Sequence, residues 1–257
     1  MILPTKKTPP KQKHTEQSIL VYGLPKIGKS TLASQFPNTI FLATEPGLNN
    51  LEVYQVQIKT WIDLQDAIKE LHKGKHNFKT IVIDTIDNAY KLCSEYICKQ
   101  NDIKHESELG YGKGYALIKQ EFEKVITFTA NMPYGFLLIS HSNTKEIETR
   151  TGKKTVIVPT LHYKVLDGVL ALMDIILYCD IDYDKEGKPT RIMHTKPSDK
   201  FTAGDRTGKL PAKIKLNYNE FVKYFEPPKK EEKSEPKEPK EKLELLTKTD
   251  IKKDGKK

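Results

Sequence analysis

Residues Gly23, Leu24, Pro25, Lys26, Ile27, Gly28, Lys29, Ser30 and Thr31 carry the spacing G-x-x-x-x-G-K-[ST]. Each fixed position in that spacing has a physical task. The two glycines let the backbone wrap tightly enough for its N–H groups to point at phosphate oxygens. Lys29 brings a point charge to the β and γ phosphates, helped by the positive end of the helix that starts near it, and the Ser30 hydroxyl is placed to ligate Mg²⁺. The string follows the apolar run SILVY (18–22) and opens a helical pattern, the context such a loop requires.

Chemistry on a bound triphosphate also needs an acid near the metal and a group that orients the attacking water. TIVID (80–84) is a buried-strand pattern ending in Asp84, placed to hold Mg²⁺ through its water shell, with Thr85 or Asp87 as cap of the next helix. The residue after Asp84 is Thr85, so the usual acidic D-E pair is missing and the base must come from another strand end. Glu45, just after TIFLA (39–43), is the candidate base; its plainer reading is a turn carboxylate beside Pro46-Gly47. His141 follows YGFLLIS (134–140) and is the candidate γ-phosphate sensor, or else a local hydrogen-bonding residue.

The elements that must position these groups read as strands at 18–22, 39–43, 80–84, 134–140 and 174–182, with helical patterns at 61–73, 86–100, 114–131 and 161–173. Short apolar runs alternating with longer amphipathic ones predict an α/β fold with a mostly parallel sheet flanked by helices. Arg150-Thr-Gly-Lys153 and Lys185-Glu-Gly-Lys188 place Gly between extended runs and predict hairpins at its edges. Three regions follow: a basic flexible arm (1–16), the core domain (17–226) and a charged, Pro-rich tail (227–257) that is expected to be disordered. In that tail LELLTKTDIKK has enough apolar residues for a short helix that orders on a partner, the alternative being a frayed end.

Composition narrows the classes. The net charge is +9, but residues 229–257 hold 11 Lys against 8 acidic residues and residues 1–14 hold four Lys and no acid, which leaves +2 for the core. Solvated tails therefore explain most of the charge, and a nucleic-acid case rests on local loops. Cys93, Cys98 and Cys179 form neither a disulfide framework nor a zinc pattern. No apolar run approaches the roughly 20 residues of a membrane span, and the N-terminus lacks an apolar signal region. A cytoplasmic protein is expected.

The order of phosphate loop, Glu after the second strand, Asp after the third and a polar residue after the fourth resembles the RecA-like ATPase core. More narrowly, VYGLPKIGKSTLASQFPNTIFLATEPGL, TIVIDTIDNAY, YGKGYALIKQEF, LLISHSN and HTKPSDKFTAGDRTGKLP look like the phage-encoded nucleotide-binding AAA family, over roughly residues 17–225. The resemblance implies ATP with Mg²⁺ as ligands, Glu45 as activating glutamate and His141 as the sensor coupling nucleotide state to DNA, in the host cytoplasm. It implies single-stranded DNA as partner, alongside single-strand-binding or annealing proteins, with the C-terminal tail as a docking segment. The DNA-facing loops would be 101–113, with Lys104, Tyr111 and Lys113, and 142–158, with Lys145, Arg150, Lys153 and Lys154. It further implies a ring or filament of identical subunits in which Lys196, Lys200 or Arg206 reaches a neighbour's phosphate, though the spacing departs from the usual Lys-x-Arg finger.

Two other readings share the phosphate loop. One is a replicative helicase or its loader, although the D-E pair and helical lid of a loader are missing. The other is a nucleotide-gated DNA-binding scaffold with little hydrolysis. The sequence also lacks the N-K-x-D motif of a GTPase and the Arg-rich lid of a small-molecule kinase.

Overall fold

The computed structural model describes residues 3–149 and 152–225. The tail 227–257, with LELLTKTDIKK, and Arg150 lie outside the described residues. Among the described residues the strands are β1 (Ser18–Gly23), β2 (Thr39–Ala43), β3 (Tyr54–Gln57), β4 (Thr80–Asp84), β5 (Gly135–Thr149), β6 (Gly152–Pro159), β7 (Ile175–Tyr183), β8 (Pro189–His194), β9 (Gly204–Asp205) and β10 (Lys213–Lys215). The helices are α1 (Lys29–Ser34), α2 (Trp61–His72), α3 (Ile86–Gln100), α4 (Lys113–Ala130), α5 (Tyr163–Leu172) and α6 (Tyr218–Val222).

The sheet runs β10-β8-β7-β1-β5-β4-β2-β3, with β6 paired to β5 and β9 to β7. The stretch from β7 to β3 is parallel, and the additions β8, β9, β10 and β6 are antiparallel. β1, β2 and β4 are buried along their whole length, because helices cover both faces, and so they read as continuous apolar runs without alternation. Leu20, Leu42, Ile83 and Leu138 face a core built with α2 to α5, whereas Val21, Phe41, Val82 and Ile139 face the core beneath α1 and α6.

The helices form where an apolar stripe meets a cap. In α2 the buried stripe is Trp61, Leu64, Ile68 and Leu71. Its start is set by a reciprocal cap: Thr60 Oγ1 accepts the Asp63 N–H at 3.1 Å, and Asp63 Oδ2 accepts the Thr60 N–H at 2.8 Å. Backbone hydrogen bonds from Lys59 and Thr60 hold the Asp63 carboxyl below its usual range.

Two expectations are refined here. Residues at the end of the proposed arm are docked: Lys11 pairs with Asp174 at 3.1 Å, and the His14 ring packs edge-on against Phe36 and Tyr218. The segment 142–158, read as DNA-facing, is the hairpin that the Gly between extended runs predicts: β5 runs unbroken past His141 to Thr149 and returns as β6, with Thr149 opposite Gly152. No helix among the described residues is long and apolar enough to cross a membrane.

Candidate functional site

Gly23 closes β1 at a φ of +155°, and a Cβ there would lie 2.6 Å from the Cys179 carbonyl oxygen on β7. Only glycine lets the phosphate-loop strand lie this close to β7. Gly23→Ala is therefore expected to cost about 2–4 kcal/mol through overpacking and backbone strain, a fall of roughly 5–15 °C in thermal midpoint. A midpoint within 2 °C of the parent, read in a thermal melt, would contradict this account of the approach. Gly28 (φ +115°) and Lys26 (φ +63°) complete the loop's left-handed turns.

Lys29 is only 6% exposed, and its Nζ donates to the carbonyls of Gly23 and Leu24, both at 2.9 Å. Burial lowers its pKa, and Cys179, Asp84, Asp87 and Glu45 pull the other way. Ser30 Oγ donates to Asp84 Oδ2 at 2.7 Å. Burial raises the Asp84 carboxyl, partly offset by that hydrogen bond.

Strand order brings the remaining groups together. β5 lies between β1 and β4, and its His141 stands level with Gly23. Glu45 reaches the same place from β2, because the turn after that strand is tied to the end of β4. Thr44 N–H donates to the Asp84 carbonyl at 2.8 Å, Thr44 Oγ1 donates to the Thr85 carbonyl at 2.9 Å, and Asn88 Nδ2 donates to the Thr44 carbonyl. Glu45 Oε1 and His141 Nε2 thus face each other at 3.4 Å.

Asp87, expected as one of two candidates for a helix cap, does different work. Its carboxylate accepts Ser140 Oγ at 2.6 Å and the His141 N–H at 2.8 Å. Burial raises this carboxyl too, against those two bonds. Asp87 thereby fixes the backbone that carries His141. Thr85, the other candidate, occupies the cap position without a side-chain cap bond.

Lys26, Gly28, Lys29, Ser30, Thr31, Glu45, Asp84, Thr85 and His141 line one cleft of about 650 Å³, within the range of roughly 300–1,000 Å³ usual for small-molecule sites. A smaller cleft of about 280 Å³ at β7, β8 and β10 holds the Lys213–Asp182 pair and no comparable convergence of groups. The larger cleft fits Mg²⁺ in its chemistry: one hydroxyl and one carboxylate stand beside a phosphate loop, the arrangement in which this ion takes its other ligands from phosphates and water. Among the described residues no group of three or more His, Cys, Asp or Glu makes a metal cage by itself.

Other predicted residues fall elsewhere. Lys196 pairs at 3.0 Å with Asp205, whose side chain is fully buried. Burial alone would raise that carboxyl, but bonds from Thr207, Leu210 and Lys196 together hold it below its usual range. Arg206 Nη2 donates to the Ala171 carbonyl at 2.6 Å. Both lie near β9, beside the start of β7 and at the opposite end of the sheet from the phosphate loop, so neither serves the site of its own chain. Lys200 is exposed, and its carbonyl accepts the Ile157 N–H.

Lys104, Lys113, Lys145 and Lys153 are exposed and Lys154 is half-buried, and Tyr111 is fully exposed. Lys153 meets Glu146 at 3.5 Å and Lys154 meets Asp199 at 3.7 Å. The 101–113 segment carries two lysines against Asp102, Glu106 and Glu108, which disfavours it as a phosphate contact.

Sequence reasoning missed Arg191. Its Nη1 lies 3.5 Å from where a Cβ on Gly28 would sit, and Leu216 Cδ2 lies 3.2 Å from the same point. Both flank the loop on the side away from Glu45, and nothing local in TRIMH marks that neighbourhood.

A phosphate loop after β1, an acid ending β4 and the strand bearing His141 between them define a P-loop nucleotide-binding protein with a RecA-like α/β core. The chain belongs to a family described as an AAA domain, whose model matches residues 15–207. It is 27% identical over 178 residues to the SPbeta prophage-derived uncharacterized protein YorG of Bacillus subtilis (strain 168), covering 65% of this chain. The match covers 53% of YorG, so the chain spans about half the length of that relative. Among solved structures it overlays the KaiC-like protein PH0186 of Pyrococcus horikoshii OT3 with a TM-score of 0.42 and 13% identity, over 70% of this chain and 79% of the other. It overlays the flagellar accessory protein FlaH of Methanocaldococcus jannaschii with a TM-score of 0.40 and 10% identity, over 78% and 84%. Strand order and the family match carry the fold assignment.

Proposed function

We propose that this chain is a phage-encoded ATPase that hydrolyses Mg-ATP and couples hydrolysis to single-stranded DNA in recombination, annealing or replication. The observation that carries the reading is the continuity of β5. The strand that places His141 against Glu45 runs without a break into the hairpin bearing Lys145, Lys153 and Lys154. A shift of His141 toward a γ-phosphate would thus be transmitted along hydrogen-bonded strand to those lysines, of which Lys153 and Lys154 would exchange Glu146 and Asp199 for phosphate. The prophage-derived relative supports the phage origin.

In this reading Lys29 and the loop N–H groups hold the phosphates, Ser30 and Asp84 hold the metal side, and Glu45 takes the proton of the attacking water. Bound Mg²⁺ would supply charge neutralisation at the phosphates. The same reading includes assembly into a ring or filament of identical subunits in which Lys196, Lys200 or Arg206 of one copy reaches another's phosphate.

The test is ATP turnover with and without single-stranded DNA at two salt concentrations. With three hairpin lysines contacting phosphate, raising salt from about 50 to about 200 mM should weaken DNA binding roughly 20-fold, and replacing all three by alanine should flatten that dependence. Turnover that ignores DNA at low salt overturns the DNA-coupled reading and leaves a DNA-independent nucleotide-binding protein.

A further inference from the structure

Thr85 stands directly after Asp84, where the glutamate of a D-E pair would stand. It is 1% exposed and lines the nucleotide cleft, and its Oγ1 has no hydrogen-bond partner among the described residues. Its main chain is held in place. Its N–H donates to Thr44 Oγ1 at 2.8 Å and its carbonyl accepts from the same hydroxyl at 2.9 Å, which pins the main chain on both sides. Nor does the hydroxyl cap α3, although Thr85 occupies the cap position.

A buried hydroxyl without a partner lowers stability, because it gave up its hydrogen bonds to water for nothing. Among the described residues two other buried side-chain polar atoms share that condition, Tyr90 Oη and His141 Nδ1. Tyr90 does not line the cleft, and His141 faces Glu45 through its other ring nitrogen. Thr85 alone of the three adjoins Asp84 in the chain, and Ser30, bonded to Asp84, lines the same cleft. A magnesium ion held by one carboxylate, one hydroxyl and phosphates keeps several of its waters, and each of those waters is a strong donor that needs an acceptor.

We propose that Thr85 Oγ1 accepts a hydrogen bond from a water in the shell of the bound Mg-nucleotide and so acts as a positioning residue for the metal. The inference rests on the reading of the cleft as a Mg-ATP site and names the side chain that orders its water.

Thr85→Val keeps the branched shape and deletes the hydroxyl, whereas Thr85→Ser keeps the hydroxyl and deletes the methyl. Full-length parent and both variants would be compared in two measurements. The first is the thermal midpoint of the nucleotide-free protein. The second is the affinity for a fluorescent ATP analogue in Mg²⁺ and in EDTA, whose ratio is the gain due to metal. Thr85→Val is expected to keep its midpoint or raise it by up to about 4 °C. Its metal gain should fall about 5- to 10-fold with the EDTA affinity unchanged, as loss of one hydrogen bond implies. Thr85→Ser should retain the parent's gain within about twofold.

A Thr85→Val protein with the parent's metal gain overturns the inference. So does one that loses several degrees of midpoint and weakens equally in EDTA, since that marks a structural hydroxyl. If the parent itself shows no nucleotide binding in Mg²⁺, the underlying ATP reading falls as well. If the parent gains from Mg²⁺ and Thr85→Val gains as much, only the role of Thr85 falls.

Discussion

Replacing Lys29 by alanine is expected to weaken ATP binding at least about 100-fold and to take turnover to background, because two charge-assisted bonds to phosphate at about 1.5–3 kcal/mol each disappear together. The position is unusual for a lysine. Its Nζ is buried, bonded to the Gly23 and Leu24 carbonyls, and its pKa is lowered by loss of water. Since the folded state holds that proton less tightly than the unfolded chain does, the charge opposes folding. Stability attributable to Lys29 rises with pH from the lowered value up to 10.5, where the unfolded lysine also loses its proton. The alanine variant removes that burden and exposes two carbonyls to an open cleft, so its fold should survive with a midpoint within a few degrees of the parent. Arginine at this position is not a rescue. A planar fork on a longer stem does not fit where a compact ammonium reaches two carbonyls. Calorimetric titration with Mg-ATP checks the expectation, and an alanine variant that binds with the parent's affinity would remove the basis for the phosphate-loop assignment.

The parts of this site that follow directly from a strand were legible in the amino-acid order. Gly23 to Thr31, Glu45, Asp84 and His141 each come after an apolar run buried on both faces, and parallel strands deliver their C-terminal ends to one edge. Groups that depend on how distant segments stack were not legible. Arg191 and Leu216 reach Gly28 only because β8 and the segment after β10 fold back beside the loop. Asp87 reads as a helix cap from its place after Asp84-Thr85, yet α3 starts against β5, so the carboxylate finds Ser140 and His141 instead. β3 escaped notice because its four residues, YQVQ, are all exposed and offer no buried run. The finger candidates show the same limit. Lys196 is a cation in a basic-rich string, and only the fold reveals that Asp205, nine residues on, is buried against it.

Glu45→Gln separates an enzyme from a nucleotide-gated scaffold. Glutamine preserves the side chain's length, keeps an oxygen to face His141 Nε2, now 3.4 Å from Glu45 Oε1, and cannot take a proton from water. A positioned base contributes about 10²–10⁴ in rate, so turnover should fall by that factor while ATP affinity stays within about threefold. The charge also matters to its neighbours. Burial raises the Asp84 carboxyl above 3.8, and the Glu45 carboxylate is among the groups that raise it further. Neutral glutamine at position 45 therefore eases ionisation of Asp84, which works in favour of cation binding and against any explanation of lost turnover by a weakened metal site. The unfolded chain binds fewer protons at Asp84 than the folded one above 3.8, so the stability due to this group falls as pH rises through that window, and less so in the glutamine variant. Single-turnover measurements of bound ATP give the decisive comparison, since they read the chemical step without binding or release. A loss confined to that step assigns Glu45 as the base. Unchanged turnover would instead make Glu45 a turn carboxylate held in place by Thr44 and Asn88, and the proton would have to leave by another route.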